Sequence, residues 1–402
     1  MRNAGLIALM AGLGLPAIAL RLSGTHLGTV GDTAIYGLAI VTAAFLLAWA
    51  AEAAEVDISQ GLAIAIVALI AVLPEYAVDM TFAWKAGQDP QYEPYAVANM
   101  TGANRLLIGA AWPLLFFIFW WRVRKPVLEL EHGHAVEVLA LAVATLYSFS
   151  LPLKGSITLI DTGVLAALFV AYVWVVSRAP TEEPELIGPA RTIGDLPAIQ
   201  RRGSILGLFV FAAFAIFASA EPFAEGLVHS GVQLGIDEFL LVQWLAPFAS
   251  EAPEFLFAGI LAWRGRAGVG MGALLSSKVN QWTLLIGGLP VAYALSKGEI
   301  TGLPLDGRQV EEVLLTAAQS AFAVAILVSL TLTKWEAALL FALFAVTFVI
   351  PSEQIRLIIS AVYVVLAIAI AVHQRADVLR LLVYSRAAVR ARPPAEPAEV
   401  RG

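Results

Sequence analysis

The chain has 402 residues, of which 59% are hydrophobic and only 14% charged, and its mean hydropathy is +0.80. Soluble domains usually carry about 25% charged residues, so this composition excludes an ordinary soluble protein and predicts a polytopic membrane protein. The net charge of -6 decides little, because in a membrane protein the distribution of charge matters more than its sum. The absence of cysteine excludes disulfides, cysteine-ligated metals and cysteine nucleophiles.

Apolar runs of about 20 residues mark helices that span a bilayer. We therefore predict an all-α fold with about twelve transmembrane helices. The first run could be a signal peptide, but it is long for one, and no small-residue cleavage pattern follows Arg21. The predicted helices are 4–20, 33–55, 58–84, 94–121, 135–151, 157–177, 205–230, 237–263, 268–294, 311–332, 335–351 and 355–373.

Basic residues are distributed unevenly over the two sets of alternating loops. Most of the 25 lysines and arginines fall on the side that holds the N-terminus. Loops rich in lysine and arginine stay in the cytoplasm, so we expect both termini there. The expected location is the plasma (inner) membrane of a prokaryote, and the tail after Tyr384 is expected to be disordered.

One motif occurs twice in the chain. The stretch "LPEYAVDMTFAWK" at 73–85 aligns without gaps with "APEFLFAGILAWR" at 252–264. On the predicted topology the first copy runs outward and the second inward, so the copies are inverted. Inverted repeats with proline-broken helices at matching places are typical of secondary transporters that bind their substrate near the midplane of the membrane.

The repeat predicts a division of the chain into two inverted five-helix repeats with one extra helix at each end. The predicted parts are an extra N-terminal helix and loop (1–32), the first repeat (33–177), a cytoplasmic linker (178–204), the second repeat (205–351), an extra C-terminal helix (352–373) and a cytoplasmic tail (374–402).

Glu75 and Glu254 are the strongest candidates for a functional site. A charged side chain at the bilayer centre costs at least about 2.5 kcal/mol, so it is rarely placed there without a role. The proline before each glutamate frees a backbone carbonyl one turn earlier. Carboxylates and carbonyls are the ligands of hard cations such as calcium and sodium, and these carboxylates could also bind protons. Alternatively, each Pro-Glu pair kinks its helix and the glutamate faces a water-filled vestibule.

Several polar side chains accompany these glutamates. Small polar residues also pack helices together in membranes, so each of them could be structural instead. Asp79 lies one turn after Glu75 and could join the site or face the outer vestibule, whereas Glu251 lies on the same helix face as Glu254. The further candidate ligands are Thr101, Asn104, Ser250, Glu251, Ser277, Asn280 and Gln281.

The duplicated motif resembles the two α-repeats of the cation/calcium exchanger superfamily, which includes sodium/calcium exchangers. In that family a Gly-Thr-Ser-Leu-Pro-Glu type motif is followed on the next helix by a Gly-Ser-Asn type motif. Here these read "IAVLPE" (70–75) and "TGAN" (101–104), then "ASEAPE" (249–254) and "SSKVNQ" (276–281). The resemblance implies a ten-helix core and central carboxylates at Glu75 and Glu254. It also matches Asn104, Ser250, Ser277 and Gln281 to polar positions of the family.

The sequence departs from the family pattern at two cations. Lys278 stands where the second downstream Asn would be, and Arg105 is an additional cation. Cations within the membrane usually pair with acids. Our hypothesis is that Arg105 and Lys278 pair with Asp79, Glu251 or the central glutamates and act as tethered counter-cations. The alternative is that both snorkel or form static ion pairs.

The predicted function is a secondary active cation antiporter that exchanges calcium or sodium against sodium or protons by alternating access. The alternative is a sodium/proton antiporter that does not carry calcium and uses Arg105 and Lys278 as counter-cations. An enzyme is not expected, because the His-Glu-x-x-His pattern of metalloproteases is absent. A channel fits less well, since fixed glutamates on broken helices favour occluded binding.

No cofactor is expected beyond the transported Ca²⁺, Na⁺ or H⁺. The expected partners are inorganic cations and membrane lipid, with no nucleic acid, and the oligomeric state stays open. One further motif, "ELEHGHAVE", places His132 and His134 near three glutamates on a predicted cytoplasmic loop. It could bind a regulatory metal or form a solvated charged loop.

Overall fold

The computed structural model describes residues 2–57, 72–178 and 186–390. The first half contains the helices α1 (Arg2–Ser23), α2 (Thr29–Ala54), α3 (Leu73–Gln88), α4 (Glu93–Leu106), α5 (Trp112–Val123), α6 (Ala135–Ser148), α7 (Ser150–Lys154) and α8 (Leu159–Val176). The second half contains α9 (Gly188–Gly194), α10 (Ala198–Leu234), α11 (Glu238–Trp263), α12 (Ala267–Asn280), α13 (Ile286–Lys297), α14 (Gly307–Leu327), α15 (Lys334–Val349), α16 (Glu353–His373) and α17 (Arg375–Arg390). Four short strands are β1 (Val127–Glu129), β2 (Ser156–Ile157), β3 (Leu303–Pro304) and β4 (Thr331–Thr333).

The all-α polytopic fold that the sequence predicts is confirmed. Within the described residues, nine helical stretches are long and apolar enough to cross a membrane. The predicted helices 268–294 and 335–351 are also present as helices, although they are not among those nine. Most of the predicted helix 58–84 before Val72 lies outside the described residues, so the count of twelve spans stays a prediction.

Strand pairs and ion pairs assign the loops to the two ends of the helix bundle. At the first, which we call end A, β1 pairs with β4, and Asp57 binds Arg201 with two N–O distances of 2.7 Å. At the second, end B, β2 pairs with β3, and Arg21 binds Glu221 at 2.7 Å. Both strand pairs are antiparallel. This grouping agrees with the alternation of loops that the apolar runs predict.

The two copies of the repeated motif point in opposite directions. The Trp84 carbonyl accepts a hydrogen bond of 2.6 Å from Ser296 Oγ at end B. Its counterpart Trp263 lies at end A, where the Arg122 guanidinium is 5.8 Å from the centre of the indole ring. The strands that follow each repeat's polar helix, β1 and β3, likewise lie at opposite ends. The inversion of the repeats is therefore a property of the fold.

The helix after each motif contains a π-helical segment that the sequence did not predict. The segment Leu107–Ala111 joins α4 to α5, and Gln281–Leu285 joins α12 to α13. Single-turn π segments inside α-helices often mark functional sites, because the wider turn redirects side chains. Both segments follow directly on the polar clusters of the two repeats.

The linker and the tail carry more structure than expected. Helix α9 lies within the predicted linker and packs against α1 and α2, where Asn3 Nδ2 donates to the Gly188 carbonyl at 3.0 Å. The long helix α10 begins at Ala198 rather than at 205. The tail was expected to be disordered after Tyr384, but α17 continues to Arg390. The reason is that α17 packs one face against α6. Residues 179–185 and 391–402 lie outside the described part.

Candidate ion-binding site

The two central glutamates occupy different positions in their helices. Glu75 lies in the first turn of α3, directly after Pro74, and is only 3% exposed. The positive end of a helix dipole stabilises an acid in that position. Glu254 lies inside α11, which continues through Pro253 to Trp263. The expectation of two broken helices is therefore wrong for the second copy. Pro253 removes one backbone donor there without ending the helix.

Four carboxylates gather around this point. Glu75 lies within electrostatic range of Asp79, Glu251 and Glu254. One carboxylate oxygen each of Glu75, Glu251 and Glu254 is buried and has no hydrogen-bond partner within the described residues. Leaving a buried acceptor unpaired is costly, so such oxygens are suited to receive a proton or a cation. The structure thus brings together the acids that the duplicated motif singles out.

Gln281 connects the second polar cluster to these acids. Its Nε2 donates a hydrogen bond of 2.8 Å to Oε1 of Glu251, and both side chains are buried. Gln281 is also the first residue of the second π-helical segment. Its amide oxygen has no partner within the described residues, which leaves a neutral ligand atom beside the acids.

Two further hydrogen bonds hold the acid-bearing helix α3 in place. Asn99 Nδ2 donates to Asp79 at 2.9 Å, and the Tyr76 hydroxyl donates to Asn280 Oδ1 at 2.9 Å. Neither Tyr76 nor Asn99 is among the site residues that the sequence predicts. The position of Tyr76 directly after Glu75 in the repeated motif was an available signal, whereas nothing in the sequence pairs Asn99 with Asp79.

The hydroxyl candidates are buried or half-buried, and two of them bond to their own helices. Thr101 donates to the Val97 carbonyl at 2.7 Å, and Ser250 donates to the Pro247 carbonyl at 3.2 Å. A hydroxyl that donates in this way keeps its lone pairs for a cation. The Ser277 hydroxyl is buried with no partner among the described residues. These side chains can therefore offer neutral oxygens.

Lys278 lies in the last turn of α12 and is fully buried. Its ammonium donates a hydrogen bond to the Asn104 side-chain oxygen and lies 4.3 Å from the centre of the Trp282 ring. Glu251 and Glu75 are within electrostatic range of it. Lys278 therefore neighbours the acids, as the sequence analysis expected, but its direct bond is to a neutral amide.

Arg105 does not pair with any of the acids that the sequence analysis proposed for it. Its guanidinium donates to Glu312 on α14 and, at 2.9 Å, to Thr347 Oγ1 on α15. Arg105 follows Asn104 directly, and one step along a helix rotates the side chain by about 100°. The arginine therefore faces α14 while Asn104 faces Lys278. The hypothesis that Arg105 is a counter-cation of the site is corrected accordingly.

A close crossing fixes the polar helix α4 against α11. A Cβ atom added at Gly102 would lie 1.7 Å from the Gln243 carbonyl oxygen. Only glycine allows two backbones to approach so closely. This contact sets the distance between the helix of Thr101 and Asn104 and the helix of Glu254.

A cavity lies toward each end of the bundle, and neither is lined by Glu75, Glu251 or Glu254. At end B a cavity of about 450 Å³ is lined by Tyr76, Met80, Lys85 and Glu221, among others. At this cavity Lys85 on α3 forms an ion pair with Glu225 on α10, at an N–O distance of 2.5 Å. At end A a smaller cavity of about 90 Å³ is lined by residues that include Glu52 and Pro253.

The histidine motif at end A is a turn followed by a helix. His132 and His134 form a short 3₁₀ turn, and Glu137 lies in the first turn of α6. His134 Nδ1 is 3.8 Å from Glu137 Oε1, and the centre of the His132 ring lies 4.3 Å from that of the tilted Tyr384 ring. Within residues 2–57, 72–178 and 186–390, no group of three or more His, Asp or Glu side chains is arranged to hold a metal, either at this motif or around the central glutamates. A regulatory metal at this motif therefore has no support from the described residues.

Comparison with known proteins confirms the family. The model of the sodium/calcium exchanger protein family matches residues 30–178 and 204–352, and thus both repeats. The solved H⁺/Ca²⁺ exchanger CAX is 45% identical, with a TM-score of 0.94 over 97% of this chain and 99% of that one. A search of curated proteins found no match.

Two more distant structures share the fold. Native YfkE is 15% identical, with a TM-score of 0.60 over 86% of this chain and 98% of that one. The sodium-calcium exchanger NCX_Mj is 16% identical, with a TM-score of 0.51 over 85% of this chain and 100% of that one. The chain belongs to the sodium/calcium exchanger protein family, and it is an integral membrane cation antiporter.

Proposed function

We propose that this antiporter exchanges calcium against protons by alternating access, with Glu75 and Glu254 as the central ligands. The observation that carries the proposal is a pair of glutamates on inverted copies of one motif, each with a buried carboxylate oxygen that has no partner within the described residues. The sequence left open which of calcium, sodium and protons are exchanged. The relative that is 45% identical is an H⁺/Ca²⁺ exchanger, which favours calcium and protons as the exchanged pair.

The chemistry of the paired acids supports exchange rather than simple binding. Two ionised carboxylates offset the charge of one calcium ion, and each can bind one proton instead. Calcium and protons would then compete for the same oxygens, so loading one releases the other. Alternation of access to the two ends converts this competition into coupled counter-transport.

A calcium ion needs about six to eight oxygen ligands, which two glutamates alone do not supply. We propose that the remaining oxygens come from the surrounding side chains and from the Ala249 carbonyl, which Pro253 leaves without its helical donor. The proposed additional ligands are Thr101, Asn104, Ser250, Glu251, Ser277, Asn280 and Gln281. Asp79 is proposed as a charge partner held by Asn99.

A second candidate is a sodium/proton antiporter that does not carry calcium. The observation in its favour is Lys278, whose ammonium lies within electrostatic range of Glu75 and Glu251. A fixed positive charge offsets part of the negative charge that would attract a divalent ion. In this version a monovalent cation replaces calcium at the same glutamates.

The proposal also covers how the chain divides into repeats and how it is oriented in the membrane. We propose repeats at 33–177 and 205–351, flanked by the extra helix and loop of 1–32, the linker 178–204, the extra helix of 352–373 and the tail 374–402. The matched segments 30–178 and 204–352 support these limits. The basic residues at end A support a cytoplasmic location of that end and of both termini, in the inner membrane of a prokaryote. No cofactor or nucleic acid enters the mechanism.

Vesicles containing the purified protein test the choice of ions. We expect calcium-45 uptake when the vesicle interior is acidic and little uptake when only a sodium gradient is imposed. Sodium-22 uptake driven by the pH gradient, without calcium uptake, would favour the second candidate instead. Vesicles without protein serve as the control for leakage.

A further inference from the structure

The helix after the last apolar span has two different faces. Only Gln374 separates α17 from α16, so α17 starts where α16 ends at end A. One face of α17 packs against the body of the protein. There Leu381 is 4% exposed, and the Tyr384 ring lies 4.3 Å from the His132 ring.

The opposite face of α17 combines apolar and basic side chains. Leu379 is 66% exposed and Val383 is 62% exposed, although both are aliphatic. Arg375 is exposed, and the Arg380 side chain at the edge of this face is 69% exposed and donates a hydrogen bond of 2.9 Å to Asp377. The chain continues with further arginines at 386, 390, 392 and 401. Water alone is a poor surrounding for this face.

We propose that this face of α17 binds the anionic lipid surface of the leaflet at end A. A helix that lies in the interface places aliphatic side chains among the acyl chains and basic side chains at the headgroups. The contact with the acyl chains comes from Leu379 and Val383. The contact with the headgroups comes from Arg375 and Arg380. Clusters of basic residues directly after a membrane span bind anionic headgroups in this way. The short connection to α16 keeps α17 at the depth of the membrane surface.

Two observations favour a lipid surface over a protein partner. The first is that α17 follows a span without a linker, so its exposed face is held next to the bilayer. The second is the charge, because the exposed side and the following tail are rich in arginine, which matches a negatively charged leaflet. The bound helix would hold Tyr384 against His132 and so fix the turn that begins α6.

The absence of cysteine makes a direct test simple, because Val383→Cys creates a single labelling site. A nitroxide attached there reports its depth in vesicles of phosphatidylcholine alone or with phosphatidylglycerol added. We expect the label to move from water into the interface when phosphatidylglycerol is present. Each arginine removed, as in Arg375→Gln and Arg380→Gln, is expected to weaken this partition about fivefold.

A matched control variant tests whether the effect is specific to the arginines of α17. Arg191→Gln removes an exposed arginine from α9, outside α17, and should leave the label depth at Val383→Cys unchanged. A label that stays in water in both kinds of vesicle would overturn the proposal. So would a label that is shielded in both kinds of vesicle and lies close to a second label, because α17 would then contact another copy of the chain. None of these readings depends on which ions are transported.

Discussion

Lys278 on α12 donates a hydrogen bond from its ammonium to the side-chain oxygen of Asn104 on α4. Each of the two residues stands three positions before the π-helical segment of its own repeat, which begins at Leu107 or at Gln281. They therefore occupy corresponding places, yet one is neutral and the other is a cation. The pair breaks the symmetry of the repeats at the point where the polar helices meet.

Replacing Lys278 by glutamine should change the pH dependence of exchange. The buried ammonium lies within electrostatic range of Glu75 and Glu251, and its removal alters how readily these acids hold protons. We expect the midpoint of transport activity to move by about one pH unit, measured as initial calcium-45 uptake over a pH series. Lys125→Gln, at an exposed site of end A, is the control. Superimposable profiles for Lys278→Gln and the unaltered protein would exclude a role of Lys278 in proton coupling.

Arg105 should act through structure and not through ligation. Its partner Glu312 is only 2% exposed, so Arg105→Met leaves a buried carboxylate without its main cation. Breaking a buried ion pair in this way costs about 3–5 kcal/mol, whereas replacing both partners is often nearly neutral. We expect Arg105→Met to lower the melting temperature in detergent and the double variant Arg105→Met/Glu312→Met to recover most of the loss. A single variant as stable as the unaltered protein would show that the pair contributes nothing.

Gly102 should tolerate no side chain. The Cβ atom of Gly102→Ala would meet the Gln243 carbonyl at 1.7 Å, and backbone cannot move aside as a flexible side chain can. Overpacking typically costs about 1–3 kcal/mol, and this contact belongs at the upper end of that range. The melting temperature and the rate of calcium uptake should both fall. Gly163→Ala on α8, where nothing lies within 4 Å, is the matched control and should be neutral or slightly stabilising. Equal behaviour of the two variants would contradict the close crossing.

The central acids were accessible to sequence reasoning, but the partners of the cations were not. Glu75 and Glu254 stand out because a charged residue after proline recurs in two aligned apolar stretches. Arg105 also stands out as a charge in an apolar run, yet its partner Glu312 is 207 residues away in sequence. Which helix faces Arg105 depends on how α4 and α14 pack, and no local pattern encodes that choice.

Three other features differ from what the sequence predicts. Pro253 predicts a break, but α11 continues past it. The composition after Tyr384 predicts disorder, but the contacts of Leu381 and Tyr384 order the helix as far as Arg390. The π-helical segments have no sequence signature that we recognise. In α17 the local tendency of the chain gives way to contacts with distant elements.

The ion pair of Asp57 with Arg201 should stabilise end A. Its contribution to the free energy of unfolding should not change between about pH 5 and pH 8. Hydrogen bonds from Arg201 lower the pKa of Asp57 from its ordinary value of 3.8 to about 2. A lowered pKa gives a contribution that is complete above the unfolded value and is lost as the pH falls through the folded value. We expect Asp57→Asn to lower the melting temperature by a few degrees and by the same amount from about pH 5 to pH 8. A difference that shrinks toward the acidic end of that range would show that the carboxyl titrates there.

The most direct measurement is calcium-45 uptake into acid-loaded vesicles by the variants Glu75→Gln and Glu254→Gln. Each substitution keeps the size of the side chain but removes its negative charge and its ability to bind a proton. We predict that either one reduces uptake to the level of vesicles without protein. Glu299→Gln, at an exposed site of end B, should transport normally. Uptake by Glu75→Gln or Glu254→Gln at the rate of the unaltered protein would contradict the assignment of these glutamates as the central ligands.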